Sequence, residues 1–116
     1  MKATASKAAQ HSLNEVTLTG RLSGVVTRSL PSGDAVTTFR VIIDRAPKDR
    51  GPSGRVLVDA IDCTAWRAGV RASLARLADG DVVEVYGAIR RRFWKAGGQA
   101  TSRVEVEVKR VRRAAA

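Results

Sequence analysis

Apolar and polar positions alternate with a period of two over most of this chain, and glycine, proline or small polar clusters close each run. The first run begins at Asn14. Val16, Leu18, Gly20 and Leu22 fall on one side, and Thr17, Thr19 and Arg21 on the other. That is the pattern of a half-buried strand, because successive side chains of an extended chain point to opposite faces. Gly20 and Gly24 interrupt the run, which predicts a bulge or sharp bend, with residues 25–30 carrying the strand around it. Pro31-Ser32-Gly33-Asp34 is a turn signal. A second strand follows over residues 35–44, with Phe39, Val41 and Ile43 on one face. A third covers residues 56–66, where Ile61, Cys63 and Ala65 oppose Val58, Ala60, Asp62, Thr64 and Trp66.

The period then changes once. Val70, Leu74 and Leu77 recur at i, i+4 and i+7, predicting a short amphipathic helix over residues 68–78 with Gly80 placed to end it. Alternation resumes in a fourth strand, residues 82–94, which hairpins through Gly97-Gly98 into a fifth, residues 102–111. In the fifth, Val104, Val106 and Val108 alternate with Glu105, Glu107 and Lys109. Three strands with a bent first member, one helix, then two strands predict an all-β fold with one short helix: a five-stranded OB-fold barrel. Residues 1–12 are small and polar and read as a disordered leader. Residues 13–112 form the single domain and residues 113–116 a tail.

Charge narrows the class of partner. The 116 residues carry 21 Lys and Arg against 11 Asp and Glu, a net charge of +10. Such an excess suits a polyanion, and arginine, which dominates it, suits phosphate forks and base stacking. Cys63 and His11 are the only residues of their kinds. An intramolecular disulfide and a cysteine-based zinc site are therefore excluded, and histidine-dependent catalysis is not expected. Asp59 and Asp62 are three apart on a strand and face opposite ways, so they form no acid pair. The expectation is a protein without catalysis, metal or cofactor. No apolar run approaches the roughly 20 residues that span a bilayer, and the leader has no apolar signal core. A cytoplasmic location without membrane contact is expected.

The chemistry concentrates in Gly87-Ala88-Ile89-Arg90-Arg91-Arg92-Phe93-Trp94. Guanidinium groups neutralise phosphate, and a planar ring gives an unpaired base a stacking surface. Alternation places Val83, Val85, Gly87 and Ile89 on a core face and Tyr86, Arg90, Arg92 and Trp94 on the other. Arg91 then points away, toward a loop or subunit contact. Trp66 is either a stacking platform or a half-buried ring at the strand–helix junction. Tyr86 serves either a nucleic-acid contact or a subunit interface. The loop over residues 45–55 holds Arg45, Lys48, Arg50 and Arg55 against one acid, Asp49. It is either a phosphate-wrapping segment or a solvated connector. Arg21 and Arg40 complete the candidate set.

These phrases, taken in order, resemble the bacterial single-stranded DNA-binding protein family. The resemblance runs through Asn14-Glu15-Val16-Thr17-Leu18-Thr19-Gly20-Arg21-Leu22, Leu30-Pro31-Ser32-Gly33, Phe39-Arg40 and Cys63-Thr64-Ala65-Trp66. It continues through Gly80-Asp81-Val82-Val83-Glu84-Val85-Tyr86-Gly87, Ile89-Arg90-Arg91-Arg92-Phe93-Trp94 and Ser102-Arg103-Val104-Glu105-Val106-Glu107-Val108. It implies an OB-fold core that binds single-stranded DNA with little sequence preference, as a homotetramer, in replication, recombination or repair near the nucleoid. It also implies that Trp66 and Trp94 stack bases. Two further aromatic positions of the family fall near Pro47 and Ala60, which are not aromatic. The chain ends at Ala114-Ala115-Ala116 without the family's acidic tip. Tail-mediated recruitment of repair enzymes is therefore not expected, and an accessory or shortened paralogue is. Two other functions share this fold: a primosomal helicase-loading factor and an RNA- or ribosome-associated OB module.

Overall fold

The alternating runs close into a barrel. The computed structural model describes residues 11–115; the first ten leader residues lie outside them. Strands β1 (Val16–Ser29), β2 (Ala35–Asp44), β3 (Val58–Ala65), β4 (Val82–Ala96) and β5 (Gln99–Arg113) close in the order β1-β2-β3-β5-β4. Helix α1 (Ala68–Ala75) lies between β3 and β4 in the chain. All neighbours are antiparallel except β3 and β5, which meet in parallel at Cys63↔Val106 and Thr64↔Glu107. This is the expected five-stranded OB barrel.

Strand β1 makes closure possible by serving two partners. Its first half pairs with β4 and its second with β2. The register shifts between Ser23 and Val26, around Gly24 at φ 66°. A β-carbon is disfavoured at that angle, so glycine lets the strand turn its corner there. The expected interruption at Gly20 is absent, because β1 runs straight through it with paired residues on both sides.

The inward positions make one core of Leu22, Phe39, Val41, Cys63, Ala65, Val83, Val85, Val106, Val108 and Val111, with Val70 and Leu74 of α1 packed into it. Burial pushes the Cys63 thiol up to about 12, with the carboxylates of Asp62 and Glu105 adding to the rise. It is an inert core residue at neutral pH. The helix ends three residues before its expected terminus. The Ala78 amide donates to Asp81 Oδ2 at 2.8 Å and the Gly80 amide to the Leu22 carbonyl at 2.8 Å, so the chain is drawn onto β1 instead of continuing as helix. Strand β3 likewise starts at Val58, since the Val56 amide is taken by the Arg50 carbonyl within the loop.

Strands β4 and β5 are longer than expected. They pair without a gap from Gly87↔Val108 to Ala96↔Gln99, around the two-residue turn Gly97-Gly98. Pairing of β4 with β1 stops at Gly87, and pairing of β5 with β3 starts at Val106. The outer part of the hairpin is thus an arm whose strands pair only with each other. Asn14 marks its root: the side chain accepts from the Ile89 amide at 2.8 Å and donates to the Ile89 carbonyl at 2.7 Å. The arm corrects one expectation. Ile89 shares the parity of Val83 and Val85, but it lies past the barrel and is 49% exposed, whereas Ala88 on the opposite face is fully buried. Strand β5 also runs two residues past its expected end, so that Arg112 and Arg113 belong to it.

Candidate nucleic-acid interface

Register brings the outward side chains of four strands onto one surface. Arg40 lies opposite Asp62 and Thr38 opposite Thr64 across β2 and β3. Arg90 lies opposite Glu105, Arg92 opposite Arg103 and Trp94 opposite Thr101 across the hairpin. The parallel seam joins the two sets. Between them runs a groove of about 370 Å³ whose walls include Arg28, Thr38, Arg40, Asp62 and Arg103, with Glu105 contributing. A smaller recess of about 180 Å³ continues it between Arg92, Trp94, Arg103 and Glu105.

At the groove's upper end, Arg92 links the aromatic platforms. Its guanidinium carbon lies 5.6 Å from the centroid of the Trp66 ring, a cation–π distance. Arg92 Nη1 also donates to Glu105 Oε2 at 3.2 Å. Trp66 and Trp94 are 36% and 45% exposed, so each offers a ring to solvent while part of it is supported by protein. A third recess beside Trp66 is bordered by Gly33, Asp34, Ala35 and Arg71. The half-buried and the stacking descriptions of Trp66 are therefore compatible.

Most of the candidate cations are engaged. Arg40 Nε donates to Asp62 Oδ1 at 2.9 Å and Arg90 Nε to Glu107 Oε1 at 3.0 Å. Arg21 Nη1 meets Asp44 Oδ2 at 2.9 Å, and its hydrogen bond, aided by its charge, holds the Asp44 carboxyl below the ordinary carboxylate range. Arg45 meets Asp59 Oδ1 at 2.6 Å and lowers that carboxyl in the same way. Such exposed pairs contribute little stability, and a phosphate can replace the carboxylate while the freed acid is rehydrated.

The structure divides the sequence candidates into three places. Trp66, Trp94, Arg90, Arg92 and Arg40 share the grooved surface. Arg45, Lys48, Arg50 and Arg55 occupy the loop at the opposite end of β3, about 26 Å from Trp66 at 3.3 Å per strand residue. There Arg50 Nε donates to the Arg45 carbonyl at 3.3 Å, and Pro47–Asp49 forms a 3-10 turn. Among the described residues, Lys48 and Arg55 have no ion-pair partner.

Tyr86 and Arg21 lie on a separate outer patch formed by the first halves of β1 and β4. Arg110 stacks over the Tyr86 ring at 4.4 Å, and the Tyr86 hydroxyl donates to Glu84 Oε1 at 3.0 Å. Arg112 also donates to Glu84, at 2.7 Å, and these two bonds lower the Glu84 carboxyl, that of Arg112 first. Arg91 points away from the groove, as alternation requires, and donates to Ser102 Oγ at 3.1 Å. Sequence reasoning missed Arg28, Arg103, Thr64 and Glu105 as groove residues. For Arg103 and Glu105 the signal was available, since both share the outward parity of β5.

A model of the Single-strand binding protein family matches residues 13–114. Among solved structures, the chain is similar to a Plasmodium falciparum SSB in complex with ssDNA, at 21% identity and a TM-score of 0.69, over 89% of this chain and 94% of that one. No curated protein sequence matches it.

Proposed function

Since this chain belongs to the single-strand binding protein family, a non-catalytic family that binds single-stranded DNA, we propose that its DNA path is the grooved surface between Trp66 and Trp94. The observation that carries the reading is the Trp66–Arg92–Trp94 cluster at one end of a groove walled by arginines. Bases stack on the two rings, while Arg40 and Arg90 exchange their carboxylate partners Asp62 and Glu107 for phosphates. The strand then follows β2 and β3 toward Arg45, Lys48, Arg50 and Arg55. The role is to protect transiently exposed strands in replication, recombination or repair. Among the described residues no helix is long and apolar enough to cross a membrane. A cytoplasmic, nucleoid-associated site of action is part of the proposal.

Titration with oligo-dT under several salt concentrations tests it. Stacking is expected to quench tryptophan emission. Log affinity is expected to fall with log salt by about 0.7 for each phosphate neutralised. Binding that leaves emission unchanged at saturation counts against the stacking mechanism. Equal affinity for oligo-U would favour the RNA-associated reading.

Self-association, in the tetrameric form implied by the family resemblance, belongs to the same proposal. It is supported by the far face of the arm, where Ile89, Phe93 and Val104 are 49%, 73% and 45% exposed. Burying such a strip against a second copy removes apolar area from water. Phe93→Asp is expected to lower the sedimenting mass of the oligomer. A wild-type chain that sediments as a monomer at tens of micromolar would remove this part of the reading.

A further inference from the structure

Among the described residues, Glu105 is the one buried acidic side chain, it borders the groove, and its two oxygens are unequally used. Its side chain is 2% exposed. Oε2 accepts from Thr64 Oγ1 at 2.8 Å and from Arg92 Nη1 at 3.2 Å. Oε1 is closed to solvent and has no hydrogen-bond partner; Arg103 Nη2 stands 3.9 Å from it. A buried acceptor without a donor is costly and uncommon. This one belongs to a residue that borders both the main groove and the recess under Trp94.

A phosphate is the wrong occupant here, because its charge repels the carboxylate. A base is the right one if it brings a donor. We propose that the half-exposed Arg103 side chain swings aside to open Oε1, and that Glu105 then reads through it the exocyclic amino group of a nucleobase seated in the groove, with cytosine as the compact case. The pairing of a carboxylate with cytosine N4 is a known mode of direct base readout. Cytosine also turns N3, an acceptor, beside its amino group, where the Arg103 guanidinium can donate. Thymine has only N3–H, flanked by two carbonyl oxygens, so reaching Oε1 brings two partial negative charges toward the carboxylate. Thr64 and Arg92 hold the carboxylate in place for this contact. The strand is thereby oriented with base edges toward Glu105 and phosphates toward Arg28 and Arg40. The consequence is a base preference superimposed on otherwise indifferent stacking.

The inference rests on the DNA path proposed above, and its test separates the two. Affinities are compared for oligo-dC and for the same oligomer carrying pyrimidin-2-one, which is cytosine without its amino group. Wild type is expected to bind oligo-dC about tenfold more tightly, one good polar readout contact. Glu105→Gln keeps the size and the Thr64 bond but can present either an oxygen or an N–H, so the ratio is expected to collapse toward one. Tight binding of both oligomers by wild type with a ratio of one overturns the base reading and leaves the DNA path standing. Binding of neither overturns both. Should Glu105→Gln fail to fold, the wild-type comparison alone decides.

Discussion

Replacing both tryptophans, Trp66→Ala with Trp94→Ala, is expected to weaken oligo-dT binding by about 2–6 kcal/mol at fixed salt, from roughly 1–3 kcal/mol per stacked base. Both rings are more than a third exposed, and neither belongs to the core cluster, so the fold should survive the loss. The two effects should not simply add. Arg92 is stacked over Trp66 and borders the recess that Trp94 lines, so removing one ring frees the guanidinium that the other shares. Fluorescence anisotropy of a labelled oligo-dT, run as a double-mutant cycle, measures the total and the coupling. Tyr86→Ala is expected to cost much less. Its ring is already covered by Arg110, and it lies eight residues down β4, about 26 Å from Trp94 at the strand rise. A Tyr86 effect equal to that of Trp94 would place the DNA on the other sheet patch.

The largest effect on stability is expected at Gly87→Ala. A β-carbon there would collide with the Glu107 carbonyl oxygen, which is backbone and cannot swing aside. The position lies where the register of β4 and β5 shifts, between Tyr86 and Gly87, and where β4 leaves β1. Accommodating the methyl means separating the two longest strands at the root of the arm. A loss of about 3 kcal/mol or more is expected, at the upper end of overpacking costs. Gly69→Ala is the control. Nothing lies within 4 Å of the added carbon, the site is helical, and a gain of about 0.5 kcal/mol is expected from helix propensity and unfolded-chain entropy. Urea unfolding midpoints compare the two. An undisturbed midpoint for Gly87→Ala would mean that the strands separate there at little cost.

Within the arm, sequence was a good guide to parity and a poor guide to burial. Alternation assigned Arg90, Arg92 and Trp94 to one face and Arg91 to the other, and the hydrogen bonds agree. It also assigned Ile89 to the core, because periodicity cannot say where a barrel ends. That limit is set by where β1 stops pairing with β4, and therefore by a strand more than 60 residues away in the chain. Glu105 shows the converse. Its parity reads as outward and its chemistry as solvated, yet Thr64 and Arg92 cover it because β3 and β5 meet in parallel.

The sequence by itself determined the succession of strands and helix along the chain, the hairpin turn and the pairing of arginine with tryptophan on one face. These depend on period, turn chemistry and residue type, which are local properties. Tertiary structure alone decided which candidates share a surface. It put Trp66 under Arg92, moved Tyr86 to another patch and set Glu105 into the groove with an oxygen to spare. Closure of the barrel did this, since a register between distant strands fixes which outward side chains become neighbours.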